Sequence, residues 1–121
     1  MIFIWLSRMK EFDIFKFIKF LKAFNSIENI YKFSNNSFLF KSILIQNSLK
    51  ISDSLFNEFT SKIFKEESVQ IYRNLVNQDI KFITFFSKFY PVELKGTINA
   101  PLLLLVSGDL NILETEHKKI Y

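Results

Sequence analysis

The sequence has no cysteine, two glycines, two prolines and a single histidine. Each shortage closes a class of function. Without cysteine there is no disulfide framework, no thiolate metal site and no thiol nucleophile. His117 alone does not make a zinc site. With so little glycine, neither a GxGxxG nor a GxxxxGK[ST] phosphate loop occurs. No nucleophile stands beside an orienting base. Glu66 and Glu67 are adjacent, so a helix would not face them together as a working pair. Asp109 stands alone, and Glu114, Glu116 and His117 fall in a polar tail expected to be solvated. The chain therefore reads as a non-enzyme with no cofactor, no metal and no small-molecule substrate. Long hydrophobic runs are absent too. The apolar start, Met1 to Leu6, lacks the basic flank and cleavage site of a signal peptide. The run Leu102 to Val106 is far too short to span a bilayer. A cytoplasmic protein with no membrane partner is the expectation.

Aromatic and branched aliphatic residues are abundant. Sixteen residues are Phe and sixteen Ile, against two Ala. That apolar load excludes a disordered tail. A length of 121 residues suits one domain, or one small domain with an appendage. The bias toward Phe, Ile and Lys fits an AT-rich base composition and by itself names no function. The net charge of +4 is carried almost wholly by Lys, which outnumbers Arg fourteen to two. The excess lies in residues 1–50, with eight basic and three acidic side chains; residues 51–95 balance, and the remainder is slightly acidic.

The hydropathy pattern predicts helices first. One short helix covers residues 2–9. A second runs from Asp13, its N-cap, to Phe24, with Phe17, Phe20, Leu21 and Phe24 on one face and Lys16, Lys19 and Lys22 on the solvent side. Ser26 caps a third helix through Tyr31. Residues 34–37 read as a loop, followed by a helix over 38–46. Ser52 or Asp53 caps the next, which carries Leu55, Phe56, Phe59 and Phe64. Glu66 and Glu67 open a further helix containing Val69, Ile71, Tyr72, Leu75 and Val76. After Asp79 the pattern changes. Residues 80–86 read as a strand. Pro91 starts a short helix through Leu94. Pro101 leads into a strand whose unbroken apolar run, Leu102 to Val106, predicts burial on both faces. Gly108 is expected to supply a left-handed turn after it, with Leu110, Ile112 and Leu113 in a short turn or helix beyond. The fold class is mainly α: a small helical bundle followed by a short β-α-β segment.

At residues 80–108 the sequence resembles a known family. The strand Ile80-Lys81-Phe82-Ile83-Thr84, the element Tyr90-Pro91-Val92-Glu93-Leu94 and the stretch Asn99-Ala100-Pro101 to Gly108 are similar to the DNA-processing protein A family (DprA/Smf). That family shows a strand, a YP..L element and then (D/N)-x-P-x-x-L-(F/Y)-x-x-G at this spacing. Trp5-Leu6-Ser7 and Phe24-Asn25-Ser26-Ile27-Glu28 are similar to its N-terminal helical segment. The resemblance implies a sterile-alpha-motif-like (SAM-like) helical domain at 1–78 and, at 79–121, the truncated start of a Rossmann-like domain. It implies single-stranded DNA and RecA as partners of the full-length family in transformation and recombination. Its motif residues here are Tyr90, Pro91, Leu94, Pro101 and Gly108, for all of which a structural role is the expectation. The family continues past the position of Tyr121 into a VGSR-like loop, so the chain reads as an N-terminal part: a truncated frame, a domain or a short relative. The glycine-rich hairpin turn that the family often carries is replaced here by Met9-Lys10-Glu11-Phe12.

Candidate nucleic-acid contacts are Lys10, Lys16, Lys19, Lys22 and Lys32, whose chemistry suits sequence-independent phosphate contact. The same lysines also read as the ordinary solvated face of amphipathic helices, and the scarcity of Arg counts against bidentate contacts. Trp5, Tyr31, Phe33, Phe38 and Phe40 could stack on bases, but core packing explains their spacing better. A small helical interaction module with no DNA role, self-associating as a homodimer, is the competing function.

Overall fold

The structure, a computed structural model, describes residues 1–97 and 100–107. Gly108, Asp109, Leu110, Ile112, Leu113, Glu114, Glu116, His117 and Tyr121 lie outside the described residues. A mainly helical bundle is followed by a small two-stranded antiparallel element, an α+β arrangement. The helices are α1 (Ile2–Ser7), α2 (Ile14–Phe24), α3 (Ile27–Phe33), α4 (Ser37–Gln46), α5 (Asp53–Thr60) and α6 (Lys62–Asn77). Strand β1 (Ile80–Thr84), the short α7 (Val92–Lys95) and strand β2 (Leu103–Ser107) follow.

Side-chain caps set most helix starts. Asp13, Ser26, Asn36, Ser52 and Ser61 each accept a hydrogen bond from the backbone N–H three residues on, satisfying a donor that the first turn leaves free. Two of these differ from the pattern-based expectation. Asn36 starts α4 at Ser37. Ser61, at φ −75° and ψ 117°, breaks the chain between α5 and α6. Phe64 therefore belongs to α6, and Glu66 and Glu67 lie inside that helix rather than at its opening.

The core of the bundle is built from rings. Phe40 lies 5.3 Å from Phe24 and 5.1 Å from Phe59, centroid to centroid, and Phe20 stacks on Phe59 at 5.3 Å. Trp5 meets Tyr31 and Phe59 edge-on at 4.9 and 5.4 Å. Phe17, Phe20 and Phe24, spaced by three and four residues on α2, are all buried. Such offset and edge-on pairs add to the burial of each ring.

The strands pair with each other, Ile80 opposite Ser107 and Phe82 opposite Leu105. β1 ends at Thr84, two residues before the predicted limit, although the Phe85 N–H still donates to the Leu102 carbonyl. β2 begins two residues after Pro101. The burial expected of it is not met among the described residues: Leu102, ahead of the strand, is buried in the helical core, whereas Leu105 is exposed. A second, smaller apolar cluster gathers around Ile83 and Tyr90, with Leu94, Leu104 and Val106 against them.

Candidate nucleic-acid interface

The turn after α4 organises a basic surface. Asn47 ends the helix and Ser48 takes a left-handed φ of 56°. The Ser48 N–H donates to the Ile45 carbonyl and the Leu49 N–H to the Leu44 carbonyl at 2.8 Å. This is a Schellman arrangement, which satisfies two carbonyls at the helix end and brings Leu49 back toward Leu44. Leu49 is thereby fixed between two clefts. One, of about 300 Å³, is lined by Lys19 and Lys22 of α2 together with Ala23, Asn47, Ser48 and Leu49. The other, of about 330 Å³, has Leu44, Ile45, Leu49 and Phe56 among its apolar lining residues and also takes in Lys41 and Lys50. Asp53 is its sole acidic lining residue. No described carboxylate lies within ion-pair range of these four lysines, since the described salt bridges are Arg8–Glu67 and Lys81–Asp79. Two adjoining clefts, each lined by two lysines and joined at Leu49, make a surface that can attract a polyanion with apolar parts.

The predicted contacts separate in space. Lys19 and Lys22 share the first cleft. Lys16 donates through Nζ to the Glu11 carbonyl at 2.7 Å. Lys10 lines a different cleft, of about 420 Å³, with Ser7, Ala100 and Pro101. The Lys32 ammonium rests 5.9 Å from the Phe33 ring centroid. Lys41 and Lys50 belong to the basic excess of residues 1–50 but stand out in no motif, because only the fold sets them in one cleft, joined through Leu49 to the cleft of Lys19 and Lys22. Of the five aromatics weighed for stacking, Trp5 and Phe40 are buried, Tyr31 and Phe33 are half-buried, and Phe38 is 82% exposed.

Tyr90 and Pro91 are buried, Leu94 is half-buried and Pro101 is exposed. The Tyr90 hydroxyl donates to the Pro101 carbonyl at 2.7 Å, so the two motif segments are joined directly. Burial pushes the Tyr90 phenol above its ordinary pKa. Pro91 sits at the N-cap of α7 with φ −59°, one place before the first helical residue.

Lys65 was not singled out from sequence. It is 6% exposed, and its ammonium lies 4.8 Å from the Tyr31 ring centroid and 5.4 Å from that of Trp5. Nζ donates to Asn35 Oδ1 at 2.6 Å. Burial lowers its pKa to about 8. Placing a helix start at Glu66 hid its phase. With α6 beginning at Lys62, Lys65 shares the inward stripe of Ser68 and Tyr72. Among the described residues no cluster of His, Asp and Glu could hold a metal ion, and no helix is long and apolar enough to cross a membrane.

No protein-family model matches this chain, and no curated protein or solved structure does so.

Proposed function

We propose that the chain is a non-enzymatic part of a DNA-processing protein of the DprA/Smf type, and that its helical unit makes weak, sequence-independent contact with single-stranded DNA. In this reading residues 1–78 form the SAM-like accessory unit and residues 79–121 begin a Rossmann-like one. The observation that carries the DNA contact is the convergence of Lys19, Lys22, Lys41 and Lys50 around Leu49. The bond from Tyr90 to the Pro101 carbonyl supports the family resemblance, because it gives the YP..L and P-x-x-L segments a common structural purpose. RecA is the partner that the resemblance implies for the full-length family.

A salt titration with labelled single-stranded DNA tests the contact. Binding is expected to be weak at about 50 mM salt and to fall as salt rises, with a log–log slope of about −3 if four phosphates are neutralised. Replacing Lys19 and Lys22 together by Gln should reduce that slope by about 1.4. Absence of salt-sensitive binding would sink the reading.

A further inference from the structure

We propose that Phe38 is a base-stacking residue that makes the α4 face selective for unpaired nucleic acid. The inference rests on the proposed DNA contact and adds a residue and a specificity to it. Phe38 is the most exposed large apolar side chain among the described residues, at 82%. It is also a ring without a ring partner there, although most of the other Phe residues have one. Its backbone is held in place. Asn36 caps α4 two residues earlier through the Leu39 N–H, and the Ser42 hydroxyl donates to the Phe38 carbonyl. The ring therefore stands on the rigid first turns of a helix rather than on a loop.

Its neighbours determine what could cover it. Phe38, Lys41 and Ile45 recur at three- and four-residue spacing and share one face of α4. Lys41 and Ile45 line the cleft that also takes in Lys50, and Leu49 joins that cleft to the one lined by Lys19 and Lys22, so the ring shares its helix face with residues of this basic surface. A ring that shares a helix face with a lysine of a basic cleft suits a chain that alternates flat bases with phosphates. Stacking needs a free base face, which a single strand offers and a duplex keeps within its own stack. The occupant is accordingly single-stranded nucleic acid. An acidic peptide would complement the lysines equally well but would leave the flat face of the ring without a matching partner.

The full chain is titrated by fluorescence anisotropy with a fluorescein-labelled oligothymidylate and with a duplex of equal length. Phe38→Ala should weaken single-strand binding about tenfold while leaving the salt slope and duplex binding unchanged. Phe38→Trp should keep the affinity, and the new indole should be quenched on binding, whereas Trp5 is buried and stays silent. Lys41→Gln should reduce the salt slope by about 0.7. If Phe38→Ala binds like the wild type while the Lys19/Lys22 variant loses affinity, the stacking proposal falls and the DNA contact stands. If the wild type shows no salt-sensitive binding, both fall. If Phe38→Ala alters only the concentration dependence of light scattering, the face covers a second copy of the chain and the proposal is overturned.

Discussion

The ammonium of Lys65 lies among Tyr31, Trp5 and Asn35, contributed by α1 and the α3 region, and no described carboxylate is within ion-pair range. Its pKa in the folded chain, about 8, is below the ordinary 10.5 because burial disfavours the charged form. Between those values the unfolded chain binds more protons than the folded one. Stability therefore rises with pH through that window and levels off above it. Burial of the Met1 amine acts with the same sign from below pH 8, whereas the raised Tyr90 phenol acts in the opposite direction above pH 10. The thermal midpoint is expected to climb between about pH 8 and pH 10, and Lys65→Met to remove most of that climb. An equal rise in both proteins would refute the assignment.

At the scale of elements, the bond between Tyr90 and the Pro101 carbonyl ties the segment before α7 to the approach to β2. Tyr90→Phe keeps the ring in its cluster and removes one buried hydroxyl. It should cost about 1 kcal/mol in urea unfolding and speed amide exchange at Phe85, whose N–H donates to Leu102 next door. Much of this level was readable in the sequence. The cap at Asp13, the three-and-four spacing of Phe17, Phe20 and Phe24, and the switch to β-branched residues after Asp79 each state a local physical preference. The break at Ser61 was not readable, because no glycine or proline marks it and the apolar positions run on from Phe59 to Phe64. The basic groove was hidden for a different reason. It depends on a left-handed Ser48, a conformation that glycine or asparagine would have advertised.

For the whole molecule, stability concentrates in the ring cluster. Phe40 touches Phe20, Phe24, Phe56 and Phe59 and is fully buried. Phe40→Ala should lower the unfolding free energy by about 3–5 kcal/mol, a large share of the total for a domain of this size. Phe38→Ala, two residues away, should change it by less than about 0.5 kcal/mol. Chemical denaturation of the two variants side by side checks that contrast, and equal losses would refute the division between core and face. The same cluster links distant parts of the chain. α1 packs against α3, α6 and β2, and Trp5 and Leu6 share their core with Leu102. That has a consequence for the protein while it is being made. α2 through α5 can close on one another as they emerge, but α1 cannot be fully covered until Leu102 arrives. At roughly 5–20 residues per second, about 5–20 s separate α1 from Leu102, whereas Tyr31 and Phe59, the rings that meet Trp5, are made earlier. The segment synthesised first thus keeps one of its contacts, that with β2, open until nearly all the described chain has been made.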